Sequence, residues 1–280
     1  MKNIFHTKTF ENYILRLIVP LHGKISHKLS CSLENALARI RGKDVKFIFD
    51  GELFACENDL QQKISNKLRG FNLYRNGVHS RELGLFDSYC LGKINFDKCD
   101  IVFDCGANSG DLFLRLNRLI DAQNYYAFEP NPDDYAVLDY NVNNRGGRTY
   151  NLALGDSDSQ LVFFTATSEG DSSIIEPISW DKKTIVNVVR LDSFLAENNI
   201  NKVKLLKLEA EGYEPEILSG IGNMLYRFEY IAIDGGYERG KNQDETFTSC
   251  TNYLLSNGFE IVDICFPSYR ALYRKKYEKA

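Results

Sequence analysis

The stretch Asp104-Cys105-Gly106-Ala107-Asn108-Ser109-Gly110-Asp111 decides the fold. It follows the apolar run Asp100–Cys105 and precedes a helical pattern over residues 111–119. It therefore reads as a strand, a glycine-rich turn and a helix, with the turn at the carboxyl end of the strand, where open α/β sheets bind ligands. Outward from it the alternation repeats. Strand-like runs occupy 124–129, 149–154, 204–209 and 229–234, and helical patterns occupy 133–143 and 214–224. Such alternation implies right-handed crossovers and a parallel sheet covered on both faces. At the end, Phe259–Cys265 and Ala271–Arg274 are joined by a short Pro-Ser segment, which suits an antiparallel pair at the sheet edge. The expected fold is thus doubly wound α/β, with a mostly parallel seven-stranded sheet and an antiparallel C-terminal edge. A further strand-like run, Gln160–Thr167, leads into a polar loop with Asp171, Ser172 and Ser173, expected to form a lid or wall.

Upstream, residues 1–95 read as an extension of helices and a hairpin that covers the cleft of a main domain at 96–280. Leu33, Ala36, Leu37 and Ile40 make one face of a helix over Ser32–Arg41. Val45–Ala55 reads as a hairpin turning at Asp50-Gly51, and a polar helix is expected at about Glu57–Leu68. The net charge is −4, but residues 1–43 carry +6 and the rest −10. An acidic main domain disfavours nonspecific nucleic-acid binding, which depends on Lys and Arg contacts to phosphates. The basic N-terminus, with Lys2, Lys8, Arg16, Lys24 and Lys28 around the short apolar run Tyr13–Leu21, allows at most peripheral membrane contact. The favoured reading is a docked or frayed helix with solvated charges. No run approaches the roughly 20 apolar residues of a spanning helix. Seven scattered cysteines without a Cys-x-x-Cys pair suggest free thiols and a cytoplasmic setting.

The carboxyl ends of the strands carry acids. Gly106 and Gly110 allow a tight turn and close backbone approach, with Ala107 and Asn108 between them. In a dinucleotide binder such a turn meets a pyrophosphate. Here it opens with Asp104, which would repel a pyrophosphate and pair instead with the ammonium of a methionyl group, as in S-adenosylmethionine (SAM). The second strand ends in Phe128-Glu129-Pro130-Asn131-Pro132, and the two oxygens of Glu129 suit the cis-diol of a ribose. Asp156, after the third strand, is positioned to accept from an adenine amino group, although Gly-Asp-Ser-Asp is also ordinary turn chemistry. Ser172 and Ser173 are candidates to touch the cofactor or to order the loop.

With these pieces assembled, the chain resembles the FkbM-family methyltransferases, which have the class I SAM-dependent methyltransferase fold. The matching segments are Asp-Cys-Gly-Ala-Asn-Ser-Gly, Phe-Glu-Pro-Asn-Pro, Ala-Leu-Gly-Asp, Val-Arg-Leu-Asp-Ser-Phe (189–194) and Lys207-Leu-Glu-Ala-Glu-Gly-Tyr-Glu214. They cover roughly Phe71 to Ile261 and stand in the family's order. The resemblance implies a SAM-dependent O-methyltransferase acting on hydroxyls of sugars, sugar-like molecules or polyketides, often in polysaccharide pathways. One position departs. The family usually has Lys-Ile-Asp-Val-Glu-Gly, whereas Glu209 stands here as the first acid, extending the carboxylate by about 1.5 Å.

Methyl transfer needs an aligned acceptor oxygen and a group to take its proton. All four histidines, His6, His22, His27 and His79, precede the alternating core, so carboxylates are the candidates. Glu209 ends the fourth strand with Glu211 just after it, and Asp234 ends the fifth; a divalent metal is possible but not indicated. The loop Asp234-Gly-Gly-Tyr237-Glu238-Arg239-Gly240 is suited to contact a polar acceptor, with Arg239 a candidate to hold an acidic group on it and His79 and Arg81 as further candidates. Glu211 and Glu214 are also simply favourable at a helix start. Two rival functions share this sequence pattern: a pyridine-nucleotide enzyme of sugar metabolism, and a noncatalytic scaffold in a biosynthetic complex. Transfer to nitrogen or to protein is not excluded, although no Asn-Pro-Pro-Tyr type motif supports it.

Overall fold

The computed structural model describes residues 20–166, 172–266 and 268–276. The chain divides into two compact units between Arg81 and Glu82. In the first unit, α1 (His27–Ile40) starts at Ser26, whose hydroxyl accepts the Leu29 N–H. A three-stranded antiparallel sheet follows: β1 (Lys46–Phe49), β2 (Leu53–Glu57) and β3 (Leu60–Ile64). The expected turn at Asp50-Gly51 brings Phe49 opposite Leu53. The helix expected at Glu57–Leu68 is not there. Glu57 instead faces Leu60 across a second tight turn, with Asn58 at φ 53°. Asparagine tolerates the left-handed conformation that such a turn requires, and β3 then buries Gln62 and Ile64. The helix begins only at α2 (Lys67–Tyr74), where the Asn66 side chain accepts the N–H groups of Leu68 and Arg69. The unit division falls within α3 (Val78–Ser88).

The second unit is built on β4 (Val102–Cys105), β5 (Tyr125–Phe128), β6 (Arg148–Tyr150), β10 (Val203–Leu208), β11 (Phe228–Asp234), β14 (Phe259–Cys265) and β15 (Arg270–Lys275). Their order is β14-β15-β11-β10-β4-β5-β6. All neighbouring pairs from β11 to β6 are parallel, whereas β15 runs antiparallel to both β11 and β14. This is the expected seven-stranded doubly wound sheet. The order reverses between β4 and β10, the position where such sheets open a crevice. Between β4 and β10 run α4 (Asp111–Leu116), α5 (Pro132–Val142), β7 (Ala153–Gly155), β8 (Ser159–Thr165), β9 (Lys182–Arg190) and α6 (Leu191–Glu197). After β10 come α7 (Glu214–Gly220), the hairpin β12 (Tyr237–Arg239) and β13 (Asp244–Glu245), and α8 (Phe247–Ser256).

Two readings are corrected. The third strand splits at Asn151–Leu152: β6 stays in the main sheet, while β7 joins a second sheet of order β7-β9-β8. β9 is a further strand that the sequence pattern hides, since its Lys182–Lys183 start and the adjacent apolar pairs Ile185–Val186 and Val188–Val189 blur its alternation. The boundary drawn at residue 95 also moves back. Leu85, Phe86, Tyr89, Leu91 and Ile94 belong to the same core as Val102, Phe113 and Leu205. That core covers one face of the sheet, and Phe103, Phe128, Leu206, Leu208 and Ile231 form the other. The split follows the period of two along each strand.

Candidate functional site

The same period puts four charged side chains on one sheet face, above the Val102–Leu205 core. Asp104 lies two residues beyond Val102, and Lys207 two beyond Leu205; the two are direct register partners. Asp234 and Arg270 are likewise partners across β11 and β15. The contacts link them into a chain of alternating sign. Lys207 Nζ lies 3.1 Å from Asp104 Oδ1 and 2.8 Å from Glu209 Oε2, and it also donates to the carbonyls of Cys105 and Gly106. Arg270 donates to Glu209 Oε1 at 2.9 Å, to Asp234 Oδ2 at 2.7 Å and to the Ser88 hydroxyl at 2.6 Å. Its guanidinium stacks 4.4 Å over the buried Tyr89 ring. Burial works against the charge of Lys207, but Asp104 and Glu209 outweigh it and hold the ammonium above its ordinary pKa. Burial likewise opposes the charge of Arg270, and Tyr89, Glu209 and Asp234 raise it on balance. Burial raises both Asp104 and Asp234, with Lys207 and Arg270 respectively pulling them back.

Asp104 is only 1% exposed, and it also accepts from the Tyr125 hydroxyl. This carboxylate holds Lys207 beneath the loop. The glycine turn is closed upon the protein itself. Gly106, at φ 68°, sits so close to the Glu209 carbonyl that a Cβ would come within 1.9 Å of the oxygen. Gly106 and Ala107 both donate their N–H to the Phe128 carbonyl at 3.0 Å, and Asn108 donates to Glu129 Oε2 at 3.0 Å. Gly110 donates back to Ala107. Glu129, 6% exposed, also accepts the Asn131 N–H at 2.9 Å, so its carboxylate ties the loops after β4 and β5 together. The Asn131 side chain in turn accepts the Asp133 N–H at the start of α5, beyond Pro130.

The loops after β10 and β11 meet in the same way. A Cβ on Gly212 would lie 2.5 Å from the Arg239 Cα. Glu211 has φ 50°, a left-handed conformation that costs a non-glycine residue roughly 1–2 kcal/mol and often marks functional loops. Ser173 is 1% exposed and its hydroxyl donates to the Glu211 carbonyl, fastening the segment after β8 to this loop. Asp171 lies outside the described residues. Glu214 is fully buried and accepts from the N–H groups of Ala210 and Gly212 and from the Thr246 hydroxyl. Burial nevertheless pushes it up to about 7. Glu238 is also pushed up to about 7, first by burial and then by Asp234, and its carboxyl bonds to Glu211.

The remaining candidates have contacts of their own. Arg239 is engaged: its two terminal nitrogens reach Glu216 at 2.9 and 2.7 Å, and it also donates to the Gly212 carbonyl. Asp156 is exposed in the turn between β7 and β8, with Ser157 near its carboxylate and its carbonyl accepting from Arg190. Tyr237 is exposed and packs edge-on against Tyr269, ring centres 5.1 Å apart. His79 and Arg81 belong to the first unit, where the exposed His79 donates its backbone N–H to Glu57. Among the described residues no three His, Cys, Asp or Glu side chains converge as a metal site, and no helix is long and apolar enough to cross a membrane. Lys207, Arg270 and Tyr89 went unassigned in the sequence. A signal existed only for Lys207, one of two lysines in the run Val203–Leu208 and the one that the period of two places in line with Val203 and Leu205, where a buried ammonium demands an acid.

The FkbM methyltransferase domain model matches residues 104–261, more than half of the chain. Three curated relatives align with it. A hexuronic acid methyltransferase, AglP, of Haloferax volcanii is 24% identical over 135 residues, 48% of this chain and 55% of its own length. A protein named methyltransferase 1 of Beauveria bassiana is 26% identical, covering 68% of this chain and 86% of its own. A 2-O-methyltransferase, NoeI, of Sinorhizobium fredii is 22% identical, covering 47% and 61%. The chain thus spans about half the length of the Haloferax relative. With the match running from Asp104, through the glycine turn and the Lys207–Glu214 loop, to β14, this chain belongs to the FkbM methyltransferase family.

Proposed function

We propose that this chain transfers the methyl group of SAM to a hydroxyl of a carbohydrate or of a glycolipid or polysaccharide precursor. The observation that carries the cofactor half is the direction of the loop amides. In a pyrophosphate cradle the amides of the turn point at the ligand. Here those of Gly106, Ala107 and Asn108 all donate to the protein's own Phe128 carbonyl and Glu129 carboxylate. Carboxylates, not amides, crown the strands, which suits a sulfonium and a ribose and disfavours a dinucleotide. Glu129, fixed in its plane by one amide on each oxygen, fits a cis-diol, with Asn108, Pro130 and Asn131 beside it.

SAM bound there supplies an electrophilic methyl group on a sulfonium sulfur. The chain's own work is then to orient the acceptor and take its proton. Glu209, Glu211 and Asp234, at the ends of β10 and β11, are the groups we assign to that task, with Arg270 and Lys207 fixing Glu209 and Asp234 in place. The exposed Tyr237, edge-on to Tyr269, offers an apolar surface on which the C–H face of a sugar ring can rest. The names of the Haloferax and Sinorhizobium relatives support a sugar hydroxyl of this kind.

Two measurements test the reading. S-adenosylhomocysteine should raise the melting temperature and NADH should not; the reverse result sinks the proposal. Methyl-labelled SAM, supplied with glycan and lipid extracts of cells lacking the gene, should label a carbohydrate fraction.

A further inference from the structure

We infer that the sugar unit receiving the methyl group is uncharged or bears an amine, and carries no carboxylate or phosphate. The inference rests on the methyl transfer proposed above and narrows its acceptor. It is carried by the state of the cations at the ends of β10, β11 and β12. A guanidinium fork is the natural reader of a sugar carboxylate. Arg239 has that fork closed on Glu216 through both terminal nitrogens. Arg270 divides its nitrogens among Glu209, Asp234 and Ser88. Lys207 is buried between Asp104 and Glu209. The adjoining cleft of about 340 Å³, lined by Glu176, Arg239, Lys241 and Asp244 among others, repeats the pattern, since Lys241 pairs with Glu176 at 2.9 Å. Among the described residues of this unit, each basic group around these strand ends already holds an acid.

The acids are not balanced in the same way. Glu211 and Glu238 bond to each other through a shared proton, which leaves the pair about one negative charge, and Glu238 lies near Asp234, Glu209 and Glu214. Among the described residues no Lys or Arg forms an ion pair with Glu238. A carboxylate or phosphate on the reacting sugar would add to this surplus in a half-buried setting, where like charges repel more than in water. A hydroxyl donates to a carboxylate without that penalty, and an ammonium gains from it.

The test uses the full chain with methyl-labelled SAM and extracts of cells lacking the gene. Labelled material is hydrolysed, and the labelled sugars are separated by charge. Label is expected in neutral or amino sugars at about tenfold or more over uronic acids and sugar phosphates, as like-charge juxtaposition implies. Label mainly in an acidic sugar, with S-adenosylhomocysteine bound, overturns the inference and leaves the methyl-transfer reading intact. No label in any carbohydrate, or no S-adenosylhomocysteine binding, fails the underlying reading itself. Glu216→Gln provides a second arm, because it releases the Arg239 fork. It should raise the share of label in uronic acids about threefold or more, on the same electrostatic grounds. An unchanged share counts against the inference.

Discussion

Two clusters of buried charge in this chain use the same groups and end differently. In the first unit, Glu34, 1% exposed, lies 2.8 Å from His22 Nε2 and accepts from Arg75 at 3.0 and 3.4 Å. The His22 ring rests 4.9 Å from Phe71, so the cluster is closed by apolar packing. In the second unit, Asp104, Lys207, Glu209, Arg270 and Asp234 alternate in sign, with three acids to two bases. That chain is not closed. The Glu209 side chain is 25% exposed, and Glu211 and Glu238 add further acid near it. Burial and pairing are common to both clusters and so do not mark a functional site. The surplus charge and the open end are what set the proposed site apart from the first cluster.

The comparison breaks most easily at Lys207. Lys207→Met leaves Asp104 buried without its cation and removes the donor to the Cys105 and Gly106 carbonyls. Removing one partner of a buried pair costs about 3–5 kcal/mol. Urea unfolding should show that loss, and S-adenosylhomocysteine binding should disappear with it. A loss below about 1 kcal/mol would mean the inner end of the chain is not structural.

Among the described residues Glu214 is buried without a direct ion pair to Lys or Arg, and pH reports on it. Its folded value is raised from 4.5 to about 7 by burial. Between those two values the folded chain keeps a proton that the unfolded chain releases. Its contribution to stability is therefore full below the unfolded value and declines as pH rises through the folded one, by about 3 kcal/mol in total. Glu214→Gln should flatten that part of the stability–pH curve relative to wild type. An equal slope in both proteins would show that the three donors to Glu214 keep it ionised.

The closed cluster should respond less and only locally. Glu34→Gln keeps the shape and weakens charge-assisted bonds to Arg75, at a cost of about 2 kcal/mol. Hydrogen exchange in residues 20–81 should speed up while affinity for S-adenosylhomocysteine stays within about twofold. A tenfold loss of affinity would give the first cluster a role in the site.

How much of this was legible in the sequence depended on how local each signal was. The glycine turn at 104–110, the alternation after it and the antiparallel closing pair are each contained in a short window, and the seven-stranded order follows from them. Asn58-Asp59 misled because a polar strand in a small sheet resembles a polar helix until the turn residue's left-handed conformation is weighed. Within the site, acids at strand ends could be named, but their partners could not. Arg270 reaches Glu209 and Asp234 from the last strand, and Glu216 engages Arg239 from α7. Those pairings decide which charges a ligand meets. They depend on sheet order and register, which no local pattern encodes.

The smallest change in stability is expected where the change in function is specific. Glu238 lies at the open end, pushed up to about 7 by burial and then by Asp234. Above that pH its ionisation works against the fold. Glu238→Gln keeps the volume and removes the charge, so at pH 8 the variant should be as stable as wild type or up to about 1 kcal/mol more stable. If the acceptor binds at this loop as proposed, methyl transfer should nevertheless fall by about tenfold or more, because a carboxyl beside it is lost. Such a split, stability kept and turnover lost, is the opposite of what Lys207→Met should give. If Glu238→Gln instead costs 2 kcal/mol or more, by the scale of a lost charged hydrogen bond, the open end is holding the fold together. The two clusters would then differ only in size.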